Sequence, residues 1–213
     1  ALFVALLSAL SAPKLRDSTW LESQGLVSTA QRIPLQSFRP LQPRVLTVVG
    51  FGGFLEEALA QEWLEQVNCI DFLANDATFQ RINPYPFELK DKAKMRVVYD
   101  DGTDGQSLIE ESDIVCISAS TLCNGSLESL LPSRRDNRIV ILEGPSGGVL
   151  PGPLFERGVT HLVHNPIDID FVQMSHRYSR QARQGLQKVT SGRFIDILLP
   201  EQRTISSKAA GFP

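Results

Sequence analysis

The sequence predicts an α/β fold of the Rossmann type, a parallel sheet with helices on both faces, and three observations predict it. Short apolar runs rich in Val and Ile recur from Arg44 onward, amphipathic stretches stand between them, and glycine-containing loops separate the two kinds. That alternation is the pattern of parallel strands joined by crossover helices. The expected order begins with RVLTVVG (44 to 50) as a buried strand. LEEALAQEWLEQV (55 to 67) follows as a helix with Leu55, Ala58, Leu59, Trp63 and Val67 near one face, and NCIDFLA (68 to 74) is the second strand.

Asn75 to Lys94 is polar and holds Pro84 and Pro86, so a long loop over the sheet is expected there. MRVVYD (95 to 100) is a strand candidate, DGTDG a turn, and SLIEES (107 to 112) a short helix. DIVCISAS (113 to 120) is the next strand, SLESLLPSRR (126 to 135) a helix, and RIVILEG a strand centred on 139 to 144. PGPLFERG suits a short helix with Pro near its start and Gly158 past its end. VTHLVHN (159 to 165) is a last strand, 168 to 185 a long helix capped by Asp168, and GRFIDILLP an added strand or a docking segment.

Ahead of this domain, ALFVALLSALSA is apolar for a dozen positions, too short to span a bilayer as a helix. It also lacks the basic start of a secretory signal. The chain begins on Ala, which suits a fragment or a processed form, and the segment is then expected to be the end of a buried helix. Pro13, Pro34, Pro40 and Pro43 break up the stretch that follows, leaving room for a helical turn or two between Trp20 and Gln31. The expected division is therefore 1–43 for the remnant of a smaller N-terminal domain and a linker, 44–185 for the Rossmann-like domain, and 186–213 for a tail.

The 213 residues carry a net charge of −3 with scattered arginines, so no basic footprint points to nucleic acid, and no membrane partner is expected. Cys69, Cys116 and Cys123 form an odd, widely spaced set, which suits a reducing, cytoplasmic setting better than a disulfide framework or a zinc knuckle. The expected partner is a small-molecule ligand, and a homo-oligomer stays open.

Ligands of an open parallel sheet bind beyond the carboxyl ends of its strands, which directs attention to three loops. The first runs Gly50-Phe51-Gly52-Gly53-Phe54: Gly50 and Gly52 match the first two glycines of a dinucleotide fingerprint, and Leu55 stands where the third belongs. Asp71 lies where an acid for a ribose hydroxyl is sought, or is a hydrogen-bonding strand end. The second loop, Thr121 to Gly125 leading into Ser126, offers Thr121, Asn124 and Ser126 as ligand contacts and Gly125 for a positive φ; equally, Asn124 and Ser126 cap the next helix. The third begins Gly144-Pro145-Ser146, where Gly144, Gly147 and Gly148 would let amides face an anion. Glu143 before it is the best-placed carboxylate for a metal. His161 and His164 fall on opposite faces of a strand and do not chelate together, His176 reads as solvated, and no GxSxG elbow makes a nucleophile of Ser118, Ser120 or Ser146.

DIVCISASTLCNGSLESLL followed by ILEGPSGGVLPGPLFERGVTHL resembles the C-terminal domain of the putative heavy-metal chelation family, over roughly Arg44 to Gly185. ALFVALLSAL is similar to the last helix of that family's enolase-like N-terminal domain. The resemblance implies a cleft between the two domains and a role in binding or making a metal chelator, with a divalent metal or metal chelate as the group involved. Carried over, Thr121, Asn124, Gly125, Gly144, Pro145 and Ser146 would line the cleft. The chain departs from the family's aromatic-Pro element at Phe51-Gly52-Gly53-Phe54. Two other functions stay open: an enzyme using NAD or S-adenosylmethionine, and a non-catalytic partner-binding module.

Overall fold

The computed structural model describes residues 2–29, 33–50, 53–71, 95–98, 104–133, 138–164 and 195–198. Eight strands among them form one sheet: β1 (Val27–Thr29), β2 (Val45–Val49), β3 (Gln66–Ile70), β4 (Met95–Val98), β5 (Ile114–Ser118), β6 (Ile139–Glu143), β7 (His161–His164) and β8 (Ile195–Leu198). Their spatial order is β1-β8-β7-β6-β5-β2-β3-β4. β4, β3, β2, β5, β6 and β7 run parallel, while β8 is antiparallel to β7 and β1 antiparallel to β8. Counted from β2, the parallel part steps outward to β3 and β4, then returns to β5 on the other side, which is the strand order of a Rossmann sheet.

The apolar runs make strands here because alternate side chains are buried on opposite faces. Ile114 and Cys116 of β5, with Ile139 and Ile141 of β6, join one core; Val115 and Ile117, with Val140 and Leu142, join the other. On the first face lie α3 (Gly53–Leu59), which buries Phe54, Leu55 and Ala58, and a 3-10 turn (Leu35–Leu41), which buries Leu35 and Phe38. On the second lie α1 (Leu2–Leu15), α2 (Ser18–Ser23), α4 (Asp104–Glu111), α5 (Ser120–Asn124), α6 (Leu127–Leu130) and α7 (Gly152–Glu156). Inside the sheet, Asn68 Nδ2 donates to Thr47 Oγ1 at 3.0 Å, and Thr47 Oγ1 lies 2.6 Å from Ser112 Oγ, so each of these buried polar groups has a partner.

The structure corrects several expected boundaries. The helix expected over 55–67 ends at Leu59, because the amides of Glu65 and Gln66 both bond the Arg44 carbonyl and bring the chain into register beside β2. The stretch expected as a linker carries α2, β1 and the 3-10 turn, with Leu21, Leu35 and Phe38 in the core. β8 is the added strand expected from GRFIDILLP. The N-terminal helix forms but is not a buried one: Val4, Ser11 and Leu15 face the domain, while Leu2 is 87% and Phe3 70% exposed. No described helix is long and apolar enough to cross a membrane. The loop expected at 75–94, the DGTDG turn through Thr103, and the helix expected at 168–185 with His176 lie outside the described residues.

Candidate functional site

The chain leaves β2 toward one edge of the sheet and β5 toward the other, so the carboxyl ends where these two neighbours meet form the switch point of the sheet. Gly50, following β2, donates its amide to the Ile70 carbonyl at 2.8 Å and has φ +85°. A Cβ at Gly50 would sit 3.0 Å from Cβ of Ser118, so glycine both permits the turn and lets the two strand ends approach closely. Gly50→Ala is expected to cost about 1–2 kcal/mol, read from chemical denaturation. A cost below about 0.5 kcal/mol would mean that the turn relaxes freely.

Beyond β5 the expected second loop is a helical turn, α5, ended by Gly125 at φ +79° with its amide on the Thr121 carbonyl. Thr121 is buried and its hydroxyl donates to the Ser118 carbonyl at 2.7 Å. Ser118 Oγ and Ser120 Oγ are 2.9 Å apart. Asn124 Oδ1 accepts from the amide of Ser126 at 3.0 Å and from its hydroxyl at 2.7 Å, so its carbonyl braces the N-cap residue of α6 without capping a helix amide, and its side-chain amide stays available as a donor. Ser126 makes no side-chain cap of its own.

These groups enclose a cavity of about 100 Å³ with Val49, Ile70 and Leu130 as apolar wall and Gly50, Asp71, Ser118, Ser120, Thr121, Asn124 and Ser126 as polar lining. Of the residues singled out from the sequence as ligand contacts, the cavity brings together Gly50, Asp71, Thr121, Asn124 and Ser126. Ser118 and Ser120 join them as lining that sequence reasoning considered only as nucleophiles; their place at the end of β5 was the signal. Phe51 and Gly52 lie outside the described residues.

Gly125, Glu143, Gly144, Pro145 and Ser146 do not line this cavity. The third loop folds into a 3-10 turn (Pro145–Gly147) behind α5, where Cys123 Sγ approaches Ser146 Oγ at 3.4 Å. Its amides are committed: Gly144 bonds the Val163 carbonyl, Gly147 the Gly144 carbonyl and Gly148 the Pro145 carbonyl. Gly144 serves its φ of +131°, and Gly147 and Gly148 serve close packing. A Cβ on Gly148 would fall 2.6 Å from the His164 ring, and one on Gly147 3.1 Å from Leu162.

The donor set is hard: one carboxylate, hydroxyls and an amide. Heavy metals of soft character favour thiolate, and the thiols are placed elsewhere. Burial, with the charge of Asp71 nearby, pushes the Cys69 thiol up to about 12; Cys116 is buried, and Cys123 faces Ser146. No group of three or more His, Cys, Asp or Glu among the described residues is placed to hold a metal ion, Glu143 included. The described residues therefore do not fit a direct heavy-metal centre.

The family model DUF364, described as putative heavy-metal chelation, matches residues 81–172. Two solved structures of DUF364 proteins of unknown function share the fold. The one from Pyrococcus horikoshii matches with TM-score 0.58 and 18% identity, over 92% of this chain and 66% of its own length. The one from Desulfitobacterium hafniense matches with TM-score 0.51 and 16% identity, over 90% of this chain and 73% of its own. This chain thus spans about two thirds to three quarters of the length of these relatives. No curated protein matches it in sequence. The segment 81–172, which holds β5, β6 and β7 and the Asn124-Gly125 and Gly144-Pro145-Ser146 elements, is the part of this chain that is similar to the DUF364 family.

Proposed function

We propose that the chain binds a small, polar, metal-chelating metabolite, or a precursor of one, in the cavity at the ends of β2, β3 and β5. The observation that carries this reading is the convergence of Asp71, Ser118, Ser120, Asn124 and Ser126 on one cavity at the strand switch point, the place where open α/β sheets take their ligands. About 100 Å³ is well below the roughly 300 Å³ of a site that engulfs a drug-sized molecule, so the cavity suits the polar head of a ligand. Chelators are rich in hydroxyl, amine and carboxylate groups, which this mixed lining complements. The metal, where one is involved, then arrives on the ligand and not on protein thiolates. Three free cysteines favour a reducing, cytoplasmic setting for this activity.

Mass spectrometry and elemental analysis of what co-purifies test the reading. Asn124→Asp keeps the oxygen that braces the N-cap residue of α6 and removes the amide donor, so retention of the ligand should fall by roughly tenfold with the melting temperature nearly unchanged. Asn124→Ala should lose the bonds from Ser126 as well, at about 1 kcal/mol. Unchanged retention in Asn124→Asp would leave Asn124 as a brace for Ser126 alone and remove it from the site.

One observation favours a second reading, a nucleotide-cofactor enzyme. Asp71 stands at the end of β3, next to Gly50, where dinucleotide folds place the acid that holds a ribose hydroxyl. It requires a rise in melting temperature with NAD or S-adenosylmethionine that Asp71→Asn abolishes. The absence of any such rise would leave the chelator reading standing alone.

A further inference from the structure

A second cleft lies at the far end of α3 from Gly50, between the 3-10 turn and the loop leading into β3. It measures about 470 Å³ and is lined by Gln36, Arg39, Ala60, Gln61, Glu62 and Trp63. That size falls within the roughly 300–1,000 Å³ of small-molecule sites.

From its lining we infer that this cleft binds a small amino carboxylate, a zwitterion with an apolar or aromatic side group. Trp63 is held in place: its indole N–H donates to both Gln36 Oε1 and Gln61 Oε1 at 2.9 Å, and Gln61 Nε2 donates to the Glu57 carbonyl at 3.0 Å. Its ring also packs on the core beneath β2 and β3, so the indole is a fixed plane at the cleft. A plane fixed in advance loses little entropy when a flat or apolar group lies on it.

The polar groups divide by sign. With its oxygen engaged by Trp63, Gln36 has its amide hydrogens left to donate, and Arg39 makes no ion pair among the described residues. These two offer donors to a carboxylate. Glu62 is exposed on the same cleft and offers an acceptor for an ammonium; it does not pair with Arg39. A simple anion would meet Glu62 and a simple cation would meet Arg39, whereas a molecule carrying both charges complements both.

The chain has two tryptophans, so Trp20→Phe leaves Trp63 as a single fluorescent reporter inside the cleft. Titration of that variant with L-phenylalanine and L-leucine should give a saturable change in emission, and calorimetry on the unmodified protein should give the same affinity. L-phenylalaninamide, lacking the carboxylate, and N-acetyl-L-phenylalanine, lacking the ammonium, should each bind at least roughly tenfold more weakly. Arg39→Ala should remove the preference for the acid over the amide, and Glu62→Gln the preference for the free over the acetylated amine. No saturable heat or emission change with either amino acid overturns the proposal. So does equal binding of the acid, amide and acetyl forms, which would mark the cleft as an apolar patch around Trp63.

Discussion

Phe38→Ala is expected to destabilise the protein by roughly 3–5 kcal/mol, the range for removing a fully buried aromatic ring. Phe38 is 1% exposed, sits on the 3-10 turn that covers one face of the sheet, and meets the His161 ring edge-on with centroids 5.2 Å apart. Truncation leaves a void under β7 that Leu35 and Leu46, already packed, cannot fill without moving. Against a total stability of about 5–15 kcal/mol, the loss removes a large share of the margin. Leu41→Ala, three residues along the same turn and 44% exposed, is the control, and should stay within about 0.5 kcal/mol. Urea denaturation of both variants measures the difference. If Phe38→Ala behaved like the control, residues 33–43 would be a detachable linker in energetic terms, whatever their contacts.

That stretch shows where the amino-acid sequence alone runs out. β2, β5 and β6 are legible because each is an unbroken apolar run, and such runs follow from burial on both faces, a local property of the strand. The 3-10 turn is not, because Leu35 and Phe38 show no period on their own and Pro34 and Pro40 suggest an open connection; their burial is decided by a sheet assembled elsewhere in the chain. α3 was expected to run on because Trp63 and Val67 continue its helical spacing. Trp63 is instead fixed by two glutamines, and Val67 belongs to β3.

The site divides in the same manner. Gly50, Asp71, Thr121, Asn124 and Ser126 are legible because the rule that ligands gather past strand ends needs only strand positions, and those positions were sound. α5 escaped notice because five residues are too few to show a helical period, although Gly125 just after Asn124 is a typical helix stop. The Gly144 to Gly148 turn suggested an anion site because glycine can mean open amides or close packing, and only the distance to His164 and Leu162 tells which.

Acid should weaken the fold through His161 before it titrates the carboxylates. His161 is 1% exposed, and burial lowers its imidazole from 6.5 to about 4. Thr160 Oγ1 lies 2.9 Å from its Nδ1; the same hydroxyl is within 3.0 Å of the Val140 carbonyl, to which it can give its one proton. Thr160 then accepts from Nδ1–H, and Nε2, which has no hydrogen-bond partner among the described residues, is the bare nitrogen. Protonation would put a charge and an N–H there with nothing to receive it. Between pH 6.5 and 4 the unfolded chain binds this proton and the folded chain does not, so stability falls as pH falls through that window, reaching roughly 3 kcal/mol below its neutral value near the lower end. His164, lowered mainly by burial, adds loss of the same sign. Glu65 and Glu110, held below the usual carboxylate range by Arg44 and by Ser133 respectively, lose their contributions only below about pH 4.5. The interval from about 6.5 to 4.5 therefore isolates the histidines. His161→Phe keeps a ring against Phe38 and cannot take a proton, so its stability, followed by urea denaturation across that interval, should decline much less than that of the parent. Equal slopes in the two proteins would mean that His161 reaches solvent or finds an acceptor on protonation, and the buried, unpaired Nε2 would then not govern the acid response.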